Sequence, residues 1–140
     1  MPLMTRAARC GATLLLGLAA GGVLAADPAA TVSFRKDLQP ILNARCVVCH
    51  VTGAENGELN LARSVALRNL VSVPSAQAPL PRVMPGKPAQ SYLMHKLLDT
   101  QASVGGSGGR MPLSDTASSP MDPAQIEQFR AWIEQGAADN

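Results

Sequence analysis

Residues 46–50 read CVVCH, and no other stretch limits the fold so strongly. Two thiols sit three positions apart, and an imidazole follows on the next residue. Whatever they hold then dictates where the neighbouring helices can run. The start of the chain bears on what that is. "MPLMTRAARCGATLLLGLAAGGVLAADPAA" carries Arg6 and Arg9, then an uncharged run from Cys10 to Ala26, with Val23 and Ala25 placed like the −3 and −1 positions of a cleavage site. That layout predicts a secretory signal peptide over residues 1–25. The run is slightly short for a membrane span, which needs roughly 20 apolar residues. Cleavage leaves a short lead-in, 26–32, and one domain over 33–140, with no stable membrane insertion.

Removing the leader simplifies both the thiols and the charge. Cys10 departs with it, and Arg9 stands where a lipidation site wants a small residue. The exported chain then holds one CxxC and no other thiol. The full sequence has 12 basic and 10 acidic residues, and losing Arg6 and Arg9 evens that balance. A neutral chain lacks the broad basic surface that nucleic-acid binding requires.

Wherever the exported part is periodic, the period is helical. "SFRKDLQPILNARC" places Phe34, Leu38, Ile41 and Leu42 on one side, with Ser33 as N-cap. Pro40 predicts a bend, or a tighter turn, before Cys46. "LNLARSVALRNLVSV" is a second helix candidate over 59–73, capped by Asn60. The five prolines of "PSAQAPLPRVMPGKP" exclude a helix interior and a central strand, leaving an ordered extended connection. A helix opening at Pro88 buries some of Tyr92, Leu93, Leu97 and Leu98. Residues 100–121 are loop by composition, with a flexible Gly-rich segment at 105–109. "DPAQIEQFRAWIEQGA" is the clearest helix, with Asp122 as N-cap, Pro123 at the first helical position and Gln125 completing a capping box. Ile126, Phe129, Trp132 and Ile133 share a face, and Gly136 ends it. The pattern predicts an all-α protein.

Such a protein has little to bury. The chain holds one Trp, one Tyr and two Phe, and much of its length is Pro- and Gly-rich. A helical domain this poor in large apolar groups gains from a bulky apolar cofactor at its centre.

The motif can be read four ways. A thioredoxin-like redox pair belongs near a βαβ pattern, and none precedes Cys46. A zinc site needs four ligands, and only Cys46, Cys49, His50 and His95 are at hand. A plain disulfide across the turn is the bland reading. The fourth is covalent haem: in C-x-x-C-H the two thiols add to the haem vinyls and the histidine reaches the iron. Export, a helical context and the absence of competing thiols favour this one. Cys46 and Cys49 are then the thioether anchors of a single haem c, with His50 an axial ligand.

For the second axial position the candidates are Met84, Met94, Met111, Met121 and His95. Met94 reads better as core packing and His95, beside Lys96, as a solvated residue. Met111 in "GGRMPL" comes after a segment free to turn and precedes a stiffening Pro112. A loop so flexible needs something to hold it, and an Fe–S bond would do so. Met111 is therefore the preferred metal ligand with His50, and Met84 and Met121 are its rivals. Arg82, Arg110 and Tyr92 are the polar candidates to meet the haem propionates.

The succession of helix, CxxCH, loops, a Met-Pro pair and a closing helix resembles class I c-type cytochromes. More narrowly, "FRKDLQPILNARCVVCH", "VMPGKPAQSYL", "RMPL" and "WIEQGA" are similar to segments of small bacterial cytochrome c modules, from Phe34 to Ala137. The spacing from His50 to Met111 is similar to that in small members. Leu113 stands where such modules often carry a second proline, and the serine-rich "SDTASSP" is an insert. The resemblance implies a class I cytochrome c-like fold, its N- and C-terminal helices crossing around a covalently attached haem, with Phe34 against Phe129 or Trp132. It implies a periplasmic protein that is not itself an enzyme: an electron carrier, or the cytochrome subunit of a redox enzyme, meeting redox partner proteins in transient contacts. The alternative is a haem sensor or peroxidase-like protein with an open or displaceable sixth iron site, for which the flexibility of 105–110 is the motive.

Overall fold

The computed structural model describes residues 30–55, 57–113 and 120–140. The expected signal peptide with its cleavage site, the first part of the lead-in and residues 114–119 of the serine-rich insert lie outside the described residues. Among those described, the protein is helical and contains no β-strand. Its α-helices are α1 (Gln39–Arg45), α2 (Ala66–Leu70), α3 (Tyr92–Leu98) and α4 (Pro123–Glu134), with 3₁₀ turns at Pro88–Gln90 and Gln101–Val104.

The first helical segment is capped as expected. The Ser33 hydroxyl accepts from the Lys36 N–H, and the Ser33 N–H donates to the Asp37 carboxylate at 2.7 Å. Beyond the cap, the segment is not one α-helix bent at Pro40. Phe34–Leu38 is a π-helical turn in which the Gln39 N–H reaches back to the Phe34 carbonyl, and Pro40 falls in the first turn of α1. A proline gives no N–H and its ring crowds the carbonyl four residues back. A wider turn ahead of it absorbs that conflict. The chain thus widens upstream of Pro40 instead of tightening after it.

The second expected helix contracts to the five residues of α2. Asn60 does not cap it. Its side chain accepts from the Ala62 N–H at 2.9 Å, a local turn that competes with helix. The Pro-rich connection is ordered, as expected, by backbone bonds from Ser72 N–H to the Val83 carbonyl (2.9 Å) and from Arg82 N–H to the Val73 carbonyl (2.7 Å). The third helix begins later than expected because Ser91 interrupts it. This buried serine's hydroxyl accepts from the Met84 N–H (2.8 Å) and donates to the Lys87 carbonyl (3.0 Å). Leu98 is exposed, and α3 instead buries Tyr92, Met94, Leu97 and Lys96.

The last helix keeps its expected start and apolar face, but Gln125 makes no bond back to Asp122 and the capping box is not formed. The Asp122 carboxylate accepts from the Ala124 N–H at 2.8 Å, Pro123 is in the first turn, and Phe129, Trp132 and Ile133 are buried. It packs on the π-helical turn and on α3. Phe34 meets Trp132, not Phe129, with ring centroids 5.1 Å apart. Around this contact Leu38, Leu42, Leu70, Met94 and Phe129 complete a continuous apolar core. The PGKP turn docks beside it. Gly86, at φ +75°, donates its N–H to the Ile133 carbonyl at 2.7 Å, so this turn is fixed to the end of α4. The end of the chain closes over the lead-in, where Asn140 bonds to Val32, Ser33 and Phe34 and the Arg35 guanidinium pairs with Asp139 at 2.7 Å.

Candidate functional site

Cys46 comes directly after α1, and residues 46–49 are turn. The Cys46 and Val47 N–H groups both reach the Leu42 carbonyl (2.9 Å each), Cys49 N–H reaches Cys46 and His50 N–H reaches Val47 (3.1 Å each). The turn that carries the motif is therefore built by backbone bonds at the end of a helix. His50 is held from the other side too, because its carbonyl accepts from the Leu61 N–H at 2.8 Å. Neither Cys46 nor Cys49 is in a disulfide; the first is half-buried and the second exposed.

The electrostatics of Cys46 and His50 differ from those of a reactive pair. Burial pushes the Cys46 thiol up to about 11, against a smaller downward pull from Arg45 and with a further push from Cys49. A redox-active cysteine needs the opposite, a lowered pKa. Burial also lowers the pKa of His50. Glu55 and the Leu59 backbone act against that shift, and the charges of Arg82 and Lys96 reinforce it. His50 is thus a neutral imidazole at pH 7, as a metal ligand must be. Its Nδ1 is buried and has no hydrogen-bond partner among the described residues.

Met111, on a distant stretch of chain, is half-buried and donates its N–H to the Lys96 carbonyl at 2.8 Å; the Met111–Pro112 peptide is cis. The other candidate ligands lie elsewhere in the fold. Met94 and Met121 each keep only 2% of their surface exposed and belong to the apolar core. Met84 is half-buried beside Pro74, Leu80 and Pro81, in a cavity that none of the motif residues line. His95 has both ring nitrogens engaged, Nδ1 with the Thr100 hydroxyl (2.9 Å) and Nε2 with the Ala89 carbonyl (3.1 Å). Among the described residues no three of His, Cys, Asp and Glu converge as a metal-ion cluster.

Two expectations from the sequence are overturned by these contacts. The 105–110 segment is not loose. Ser107 N–H bonds to the Gln77 carbonyl, Gly106 N–H to that of Gln101, and three side chains of α3 and the following turn hold its carbonyls. The need for an Fe–S bond to order it, and the motive for a displaceable sixth ligand, both lose their basis. Two of the three polar candidates for propionates, Arg82 and Tyr92, are likewise committed elsewhere. Arg82 donates to the Asn69, Gly57 and Glu58 carbonyls (2.8–2.9 Å), and the Tyr92 hydroxyl donates to Ser107 at 3.0 Å.

Lys96 and Gln101 did not stand out in the sequence. Lys96 stands four residues after Tyr92, on the face that α3 buries, and that spacing was the available signal. Compared with protein-family models, with curated proteins and with solved structures, the chain matches none. A helix end presents two thiols and a neutral imidazole, and a separately anchored loop presents a thioether.

Proposed function

We propose that this protein is a periplasmic c-type cytochrome that carries single electrons, with haem c bound to Cys46 and Cys49 and ligated by His50 and Met111. The observation that carries the reading is the state of the CxxCH turn. It combines two free thiols with a neutral, half-buried imidazole whose Nδ1 lacks a partner among the described residues, on backbone that is bonded at both sides. These residues fit a haem anchor better than the rival sites. The raised Cys46 pKa opposes a reactive dithiol. The engaged ring of His95 opposes both zinc and bis-histidine ligation.

Each group's chemistry sets its role. Cys46 and Cys49 would fix the macrocycle by thioether bonds. His50 offers a neutral nitrogen lone pair, and the Val47 and Leu61 backbone bonds keep its main chain in place. Met111 offers a soft thioether from a loop whose position the protein sets. The haem supplies one-electron redox chemistry, and His/Met ligation raises its potential. Among the described residues, the exposed large hydrophobics are Val48, Val51, Leu98 and Leu113, three of which lie within two residues of the proposed anchors and ligands in sequence. An apolar group attached there would lie beside apolar neighbours, and a small uncovered rim suits the brief, weak encounters of redox proteins. The class I cytochrome c fold, with first and last helices crossing at Phe34 and Trp132, is part of this proposal.

The test is the absorption spectrum of the purified protein from cells that attach haem, ferric and ferrous, beside Met111→Ala. A c-type reduced spectrum with a weak far-red sulfur-to-iron band, lost in the variant, is the expected result. A band that survives assigns another methionine. A colourless protein refutes the proposal.

A further inference from the structure

The chain commits an unusual amount of polar chemistry to one short loop. Lys96 is a lysine with only 7% of its surface exposed, on the buried side of α3. Its ammonium donates to the Ser107 carbonyl at 3.1 Å and to that of Gly109 at 2.5 Å, and lies 5.9 Å from the centre of the Tyr92 ring. The Tyr92 hydroxyl donates to the same Ser107 carbonyl, and the Gln101 amide donates to the Gly108 carbonyl at 3.1 Å. The backbone carbonyl of Lys96 itself accepts the Met111 N–H at 2.8 Å. One residue therefore grips the loop at both ends of its last turn, by side chain and by main chain. Gly106 fits against the Tyr92 ring so closely that a Cβ there would stand 2.4 Å from a ring carbon.

We propose that Lys96 is a positioning residue for Met111, holding the thioether in its ligating place through the Ser107 and Gly109 carbonyls whether or not the iron bond is formed. This rests on the reading of Met111 as the sixth ligand. The physical argument is one of preorganisation. A methionine on a free Gly-rich loop loses conformational entropy each time it ligates, and an exogenous ligand competes against that cost. A loop fixed in advance has already lost that freedom on folding, so the intramolecular ligand outcompetes a diffusing one. Charge-assisted hydrogen bonds are the strong kind, and the buried stem of Lys96 aims these two at a loop whose own residues 107–109 are exposed. Tyr92 is the second arm of the same grip. Its hydroxyl shares the Ser107 carbonyl, and its ring faces the ammonium.

The test compares wild type, Lys96→Met and Tyr92→Phe as full chains from haem-attaching cells, with two readouts. One is the imidazole concentration that abolishes the far-red sulfur-to-iron band; the other is amide hydrogen exchange over residues 105–111. Loss of the lysine bonds is expected to lower the imidazole midpoint by roughly 10- to 100-fold and to speed exchange at Met111 by a similar factor. Tyr92→Phe, which keeps the ring, moves both readouts the same way by less. Should Lys96→Met fail to accumulate as folded protein, Tyr92→Phe decides by the same readouts. A coloured wild type whose band and exchange are unaffected by either substitution overturns the positioning role alone. A colourless wild type, or a band that survives Met111→Ala, overturns the reading of the site and this role with it.

Discussion

The rings of Phe34 and Trp132 lie 5.1 Å apart at their centroids and are tilted by 37°. Phe34 opens the first helical segment and Trp132 is near the end of the last, so this contact joins the two extremes of the domain. Such pairs add about 0.5–1.5 kcal/mol beyond the area they bury. Trp132 also donates its indole N–H to the Ala138 carbonyl at 2.9 Å. Trp132→Ala is therefore expected to cost about 3–5 kcal/mol, and Phe34→Ala a similar amount. Chemical denaturation of both variants measures this, and the double variant should lose less than the sum of the two.

Arg82 ties the loop behind the CxxCH turn to the end of α2 through the Gly57, Glu58 and Asn69 carbonyls. Arg82→Met leaves three acceptors without a donor. A loss of about 3 kcal/mol is expected. Hydrogen exchange at Leu61, whose N–H holds the His50 carbonyl, should rise with it. Unchanged protection at Leu61 would mean that the loop is held by other contacts.

Glu55 gives the clearest pH signature. Burial works against its charge, but hydrogen bonds from its own backbone, from the Thr52 hydroxyl and N–H and from the Gly53 N–H outweigh that and hold the carboxyl down at about 2, against an ordinary 4.5. The folded value lies below the unfolded one. The stabilising contribution is thus complete above about 4.5 and disappears as the pH falls toward 2. In an NMR titration the Thr52 and Gly53 amides should shift with a midpoint near 2. A midpoint at the ordinary carboxylate value would contradict these bonds.

Two glycines separate backbone strain from crowding. At Gly86 an added Cβ meets nothing within 4 Å, but φ is +75°. Gly86→Ala should cost about 1–2 kcal/mol and leave the fold unchanged. At Gly106 the added carbon enters the Tyr92 ring. Gly106→Ala should cost about 1–3 kcal/mol, detach Tyr92 from Ser107 and disturb the Met111 loop, visible as accelerated exchange there and absent in Gly86→Ala.

Removing the Asp122 cap is expected to cost about 1 kcal/mol. Thermal melts of Asp122→Ala measure it, and Asp122→Ser should recover most of the loss.

The parts of the fold that a sequence window contains were readable from it. The cap and apolar face of α4 lie within one short stretch, and the Ser33 cap is equally local. The all-helical class came from the same periodicities. Elements decided by distant contacts were not readable. α2 is short because Asn60 prefers its own turn, and α3 starts late because Ser91 is claimed by the Met84 and Lys87 backbone. The Gly-rich loop read as flexible because glycine composition reports intrinsic freedom. Its actual restraint comes from Tyr92, Lys96, Gln101 and Gln77, whose side chains or carbonyls meet it only after folding. At the candidate site, the residue types and the local turn were visible in CVVCH, whereas the neutrality of His50 and the engagement of His95 required three dimensions.

The π-helical turn at Phe34–Leu38 also acts as an angular adjustment. A residue added to or taken from a helix rotates everything before it by about 100° about the axis. Deleting one residue between Arg35 and Asp37 could yield a perfectly regular helix, yet it would swing Phe34 out of line with Trp132. The irregular turn is thus a phase setting, and smoothing the local geometry would unlatch the two ends of the domain.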